Sequence, residues 1–219
     1  MRDRRVSVEI WAIVVAAGEG RRFGQPKQFS LLGGRPVIEW GLDASRSVAR
    51  GVVAVVPESA VGSPGLGKAA DRVIAGGPTR ASSVRRGLAA VPVNADVIVV
   101  HDAARPLASR ELFRSVVAAV VAGADGAIPG IPVSDTIKRV RGGRVVETLD
   151  RGELVAVQTP QAFRAGALRR AHAEEPEATD DAALLEALGL SVEVVPGEFH
   201  NLKLTTPEDL AIAERWSSR

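Results

Sequence analysis

The chain has 219 residues, 46% of them hydrophobic and 25% charged, with a formal net charge of +2. That length supports a substantial buried core, and so small a net charge gives no electrostatic footprint for nucleic acid. There are no cysteines, which excludes disulfides and thiolate metal sites.

Taken in chain order, the first strong signal is the apolar run Ile10-Trp11-Ala12-Ile13-Val14-Val15, which predicts a buried strand over 10–16. It runs into the glycine-rich segment 16–27, in which Arg21, Arg22 and Lys27 lie within seven residues. Glycines leave backbone N–H groups accessible, and three nearby cations suit a triphosphate and its transition state. The loop is not a P-loop, because Lys27 is followed by Gln28 rather than Ser or Thr. Nor is it a dinucleotide fingerprint, because Phe23 stands where the third glycine is required. An ordinary strand-to-helix turn with solvated arginines is the alternative.

Further strands are predicted over 52–56, 72–74, 97–101, 127–129 and 192–195, and helices over 36–48, 80–91, 110–121, 164–173, 180–188 and 207–216. This alternation predicts one α/β domain over 1–219, a mostly parallel doubly wound sheet with ligands at the carboxyl ends of its strands. The last helix has a clear start, with Thr206 as cap, Pro207 at the first position, then Glu208 and Asp209. Residues 136–159 break the rhythm: two β-runs joined by Arg141-Gly142-Gly143-Arg144, then a third run over 154–159. A lone hairpin is marginal in water, so this β-arm must pack on its own domain or on a partner subunit. The longest apolar stretch, 116–124, is too short to span a bilayer, and Val6-Ser7-Val8-Glu9 interrupts any signal-peptide core. The expected setting is the cytoplasm, with no nucleic-acid or membrane partner.

Polar groups cluster at strand ends. Asp102 and Arg105 follow the strand ending at His101; an aspartate there can hold Mg²⁺ or a ribose hydroxyl, and an arginine can fork onto phosphate. Capping the next helix is the other role open to Asp102, but Ser109 is better placed for it. His101 reads as a structural hydrogen-bonding residue, and no histidine–carboxylate cluster has zinc spacing. A second glycine turn, Gly76-Gly77-Pro78-Thr79, opens a helix; its amides and Ser83 either read a base edge or simply start the helix. Thr179-Asp180-Asp181 reads first as a helix cap. Only Lys27, Lys68, Lys138 and Lys203 are lysines among 28 basic residues; a flexible ammonium can follow a moving phosphate better than a planar guanidinium. With no Ser/His/Asp arrangement, the cationic constellation points to phosphoryl or nucleotidyl transfer.

In order and spacing, several motifs resemble the 2-C-methyl-D-erythritol 4-phosphate cytidylyltransferase family over nearly the whole chain. They are Ala16-Ala17-Gly18-x-Gly20-x-Arg22, Pro26-Lys27-Gln28, Gly76-Gly77-x-x-Arg80-x-x-Ser83-Val84 and His101-Asp102-Ala103-Ala104-Arg105-Pro106. The pattern continues in Asp135-Thr136-Ile137-Lys138, Asp150-Arg151, Thr159-Pro160-Gln161, Thr179-Asp180 and Lys203-x-Thr205-x-Pro207-Glu208-Asp209. The resemblance implies transfer of CMP from CTP to 2-C-methyl-D-erythritol 4-phosphate, a small polyol phosphate of the non-mevalonate isoprenoid pathway, releasing pyrophosphate, with Mg²⁺ as cofactor. It implies that Arg22 and Lys27 stabilise charge at the α-phosphorus, and that Arg151 and Lys203 place the attacking phosphate. Ala16, Ala17, Gly18, Gly77, Ser83 and Ala103 would line the nucleotide site, with Asp102 beside ribose and metal. Arg105, Thr136, Thr159 and Thr179 would hold the polyol phosphate, and the arm carrying Arg151 would reach a neighbouring subunit in a homodimer.

Two features depart from the family pattern. The loop between Phe23 and Pro26 is shorter than in many relatives, and Pro78 stands where a polar side chain often faces the base. A ribitol-5-phosphate cytidylyltransferase shares the glycine loop and Thr-Pro-Gln. A sugar-1-phosphate nucleotidyltransferase using UTP or GTP is a more distant rival. A non-catalytic nucleotide-binding regulator is the reading from another class.

Overall fold

The structure, a computed structural model, describes residues 8–18, 20, 23–24, 26–63 and 65–217. In chain order the strands and helices are β1 (Ile10–Val15), β2 (Leu31–Leu32), β3 (Arg35–Pro36), α1 (Val37–Ser45), β4 (Gly51–Val56), α2 (Leu66–Ala69), β5 (Arg72–Ala75), α3 (Arg80–Ala90), β6 (Val97–Asp102) and α4 (Arg110–Ala122). They continue as β7 (Gly126–Pro132), β8 (Lys138–Arg141), β9 (Arg144–Thr148), β10 (Val155–Val157), β11 (Gln161–Arg164), α5 (Ala165–Ala171), α6 (Asp181–Ala187), β12 (Val192–Pro196) and α7 (Pro207–Ser217).

An eight-stranded sheet forms the centre. Strands β5, β4, β1 and β6 pair in parallel, with Ile13 opposite Val53 on one side and Val100 on the other. Antiparallel β11 then separates β6 from β7, and β12 closes the far side of β7 in parallel. β10 shares the β11 edge of β7, pairing with Gly130, Ile131 and Pro132. The parallel majority follows from helices of crossover length between apolar strands. β11 is a strand that the sequence reading did not include, with Ala162 and Phe163 fully buried, and the helix expected from 164 follows it from Ala165. The run over 154–159 also departs from expectation, because β10 belongs to the main sheet and not to the arm.

Alternation along each strand divides the core in two. Ala12, Val14, Val52 and Val99 face one layer with Leu42 of α1 and Phe113 and Val116 of α4. Ile13, Val55, Ile98 and Phe163 face the other with Val84 and Leu88 of α3, Leu168 of α5 and Leu185 of α6. α4 buries Leu112, Phe113, Val116, Val117 and Val120, a helical apolar stripe, and each such side chain contributes about 1.5–3 kcal/mol. Gly87 lets α3 approach β1, since a Cβ there would lie 2.6 Å from the Ile13 side chain. Among the described residues no helix is long and apolar enough to cross a membrane.

The arm is the separate two-stranded sheet β8–β9, exposed along its whole length. Gly142 and Gly143 have φ of 55° and 77°, the positive pair that a two-residue hairpin turn of this hand needs. Val140, Val145 and Val146 are each more than half exposed on it.

Candidate active site

The carboxyl ends of β1 and β6 and the start of α3 enclose a cavity of about 490 Å³. Ala16, Ala17, Gly18 and Gly20 supply one wall, Gly77, Pro78, Thr79, Arg80 and Ser83 another, and Asp102, Ala103 and Ala104 the end. Lys27 and Gln28 close it from the 3₁₀ turn Lys27–Phe29. Local chemistry explains the shape. Thr79 caps α3 in a reciprocal pair with Ser82, and the Ser83 hydroxyl accepts the Gly77 N–H at 3.1 Å while donating to the Thr79 carbonyl at 2.8 Å. The Ser83 side chain therefore builds the turn. Gln28, itself buried, donates to the Gly18 carbonyl at 3.1 Å and fixes the glycine loop.

A second, smaller cavity of about 200 Å³ lies beside the first. Arg105, Thr159, Thr179, Asp180 and Lys203 line it, and it shares Arg80 and Asp102 with the larger one. The shared wall is ionic. Asp102 Oδ1 accepts Arg80 Nε at 3.0 Å and Oδ2 accepts Lys203 Nζ at 2.7 Å. Burial pushes the Asp102 carboxyl up, but Arg80 and Lys203 outweigh it and hold the group well below the usual carboxylate range. Burial lowers Arg80, and the carboxylates of Asp102 and Asp181 more than offset this, raising it. Asp102 is thus held as an anion, with Arg80 on one oxygen and Lys203 on the other.

Behind this wall, His101 is fully buried and pushed down to about 4, chiefly by burial and secondarily by Arg105. The neutral ring donates from Nε2 to the Arg105 carbonyl at 3.2 Å, leaving Nδ1 to accept from Thr159 Oγ1 at 3.3 Å. The same Thr159 oxygen accepts the Asp102 N–H at 3.0 Å. Arg105 donates to the carbonyls of Asn201 at 2.7 Å and Val157 at 3.3 Å, and Gln158 donates to the Glu198 carbonyl at 2.9 Å. These bonds anchor the segment that brings Lys203 to Asp102.

Most of the expected site residues meet here. Ala16, Ala17, Gly18, Lys27, Gly77, Ser83, Asp102 and Ala103 line the larger cavity, and Arg105, Thr159, Thr179 and Lys203 the smaller. Thr136 and Arg151 do not join them within one chain: both are exposed, and the Arg151 guanidinium donates to the Ser134 carbonyl. Arg22 lies outside the described residues. His101 and Ser109 have their expected structural roles, the latter accepting the Leu112 N–H at 3.1 Å. Asp180 caps α6 by accepting the Ala183 N–H at 3.1 Å, but Asp181 is no cap. Its oxygens instead take Arg80 Nη1 at 2.8 Å and His172 Nε2 at 2.9 Å. At the start of α7, Pro207 stands first as expected, while the Asp209 carboxylate accepts the N–H groups of Thr205 and Thr206. The site residue that sequence reasoning left without a role is Arg80. It stands in the Gly76-Gly77-x-x-Arg80 motif, and a basic residue at the first position of a helix, where the dipole disfavours a cation, is a second signal.

Comparison with known proteins agrees with this arrangement. The family model described as 2-C-methyl-D-erythritol 4-phosphate cytidylyltransferase matches residues 10–218. A curated protein of that description from Rubrobacter xylanophilus is 47% identical over 214 residues, covering 93% of this chain and 92% of its own. One from Frankia casuarinae is 46% identical, covering 97% and 83%. The crystal structure of the Thermus thermophilus cytidylyltransferase superposes with a TM-score of 0.80 at 37% identity, covering 94% of this chain and 98% of that one. The 4-diphosphocytidyl-2C-methyl-D-erythritol synthase of Anaerococcus prevotii gives a TM-score of 0.84 at 30% identity, covering 97% and 99%. With its glycine loop, its paired cavities and near-complete coverage of these relatives, the chain belongs to the 2-C-methyl-D-erythritol 4-phosphate cytidylyltransferase family.

Proposed function

We propose that this protein transfers CMP from CTP to 2-C-methyl-D-erythritol 4-phosphate. A phosphate oxygen of the polyol phosphate attacks the α-phosphorus of CTP, the α–β phosphoanhydride bond breaks, and pyrophosphate leaves. The observation that carries this reading is the pair of cavities meeting at Arg80 and Asp102, one large enough for a nucleotide and one smaller and flanked by Arg105 and Lys203. Two anions that must react belong in adjoining sites with cations at the junction. Lys27 and Arg22 act on charge developing at the α-phosphorus, and Lys203 and Arg105 hold the attacking phosphate. That phosphate is already ionised at neutral pH, so no general base is required.

The donor set fits Mg²⁺ carried by the substrate. Among the described residues, Asp102 is the single carboxylate on the larger cavity, and no group of three or more His, Asp or Glu is arranged for a metal. Mg²⁺ is commonly held by one or two carboxylates together with substrate phosphates and water. Asp102 would hold it beside the triphosphate, where it would neutralise phosphate charge.

The working unit is a homodimer in the cytoplasm. An exposed hairpin bearing Val140, Val145 and Val146 has too little core of its own, and a second copy is the partner that would cover it. Arg151 and Thr136 would then serve the neighbour's smaller cavity.

Incubating purified protein with each nucleoside triphosphate, with and without Mg²⁺, together with methylerythritol 4-phosphate or ribitol 5-phosphate, tests the assignment through pyrophosphate release. CTP with methylerythritol 4-phosphate and Mg²⁺ is expected to be fastest by far. Equal turnover with ribitol 5-phosphate or UTP would overturn it.

A further inference from the structure

Four short contacts connect five side chains from separate parts of the fold. His172, which follows α5, has Nε2 at 2.9 Å from Asp181 Oδ1 in the first turn of α6. Asp181 Oδ2 accepts Arg80 Nη1 at 2.8 Å at the start of α3. Arg80 Nε donates to Asp102 Oδ1 at 3.0 Å at the end of β6, and Asp102 Oδ2 accepts Lys203 at 2.7 Å. Asp102 and Arg80 form the wall between the two cavities, whereas His172 and Asp181 border neither of them.

Burial gives the chain of contacts a direction. The Asp181 side chain is 1% exposed and that of His172 is 2% exposed, so each Asp181 oxygen must find its partner within the protein. His172 occupies one oxygen, which leaves the other pointed at Arg80. A guanidinium is a rigid planar fork; once Nη1 is bound to Asp181, the direction of Nε is set, and Nε meets Asp102. The other ionic partner of this carboxylate among the described residues, Lys203, arrives on a flexible stem with a side chain that is 42% exposed. We propose that His172 and Asp181 are positioning residues for the transfer reaction, acting through Arg80 to fix the Asp102 carboxylate at the junction of the two substrate sites. This rests on the cytidylyl-transfer reading of that junction.

The test is a double-mutant cycle between His172→Phe and Asp102→Ala, with His172→Gln as the conservative control. A glutamine amide can present an N–H near the position of His Nε2, whereas phenylalanine fills the volume without a donor. In the wild-type background His172→Phe is expected to lower kcat about tenfold, the scale seen for groups that orient a site from behind. His172→Gln is expected to stay within about threefold of wild type, since its donor is retained. In the Asp102→Ala background His172→Phe is expected to change little, because the group it positions is gone. Reading the same cycle on the CTP dissociation constant by calorimetry keeps the test decisive if Asp102→Ala is too slow to follow. Equal losses for Gln and Phe, or the same loss in both backgrounds, would show only packing between α5 and α6 and overturn the proposal. Wild-type protein that binds CTP without turnover would sink the transfer reading and leave the binding cycle to judge the relay. Protein that binds no CTP would overturn both.

Discussion

Lys27 Nζ donates to the main-chain carbonyl of Leu204 at 2.6 Å, which ties the glycine loop to the segment carrying Lys203. One residue back, the Lys203 ammonium sits 2.7 Å from Asp102. Two lysines 176 positions apart in sequence therefore converge on one junction from opposite sides. A bond from an ammonium to a phosphate is stronger than one to a neutral carbonyl, so an incoming phosphate outcompetes the Leu204 carbonyl for Lys27.

Removing that ammonium should act mainly on the chemical step. Lys27→Ala is expected to lower kcat by roughly 10² or more, as loss of a preorganised charge-stabilising donor does, and to weaken CTP binding less. Steady-state kinetics with calorimetry would check this. An unchanged kcat with a raised KM would mean that Lys27 contributes ground-state binding only.

Sharing of the site between subunits can be tested by complementation. Arg151→Ala chains and Lys27→Ala chains should each be inactive alone. If each site takes Arg151 from its neighbour, a mixed dimer has one site with both lesions and one intact site, and activity should return toward half per mixed dimer. A mixture that stays inactive after confirmed subunit exchange would show that Arg151 serves its own chain.

The Thr159 hydroxyl serves two buried partners, the Asp102 N–H and His101 Nδ1. Thr159→Val keeps the shape and removes the oxygen, leaving a buried N–H without an acceptor. Unfolding in urea should show a loss of about 1–3 kcal/mol, with Thr159→Ser close to wild type. Equal stability of Thr159→Val and wild type would mean that the two partners are satisfied in another way.

His101 gives the stability a pH dependence of known sign. Its ordinary value is 6.5, and in the fold burial pushes it down to about 4. The unfolded chain therefore binds a proton that the folded one refuses across this window. The contribution is fully present above pH 6.5 and is lost as the pH falls to about 4, amounting to about 3 kcal/mol. Asp102, also depressed, adds to the loss only at still lower pH. Urea midpoints at pH 7, 5.5 and 4.5 should fall more steeply for wild type than for His101→Gln. Parallel profiles would show that His101 does not govern this window.

Much of this protein is written locally. The apolar run at 10–15, the Ser109 cap, the Gly142-Gly143 turn and the Pro207 helix start each depend on neighbours within a few residues, so composition and spacing reveal them. The glycine loop and the residues beside Asp102 are legible for the same reason, being strand ends of an alternating α/β chain. Three features come only from the assembled fold. Gln161–Arg164 is too short to declare itself a strand and becomes one because β6 and β7 offer it two edges. Val155–Val157 reads as part of the arm until the outer half of the β7 edge captures it. Asp180 and Asp181 are equivalent to any local rule, yet one caps α6 and the other turns inward to Arg80 and His172. Arg80 and Asp181 are 101 residues apart, and their contact depends on how α3 and α6 settle on one face of the sheet. Side-chain packing sets that alignment, and no sequence spacing encodes it.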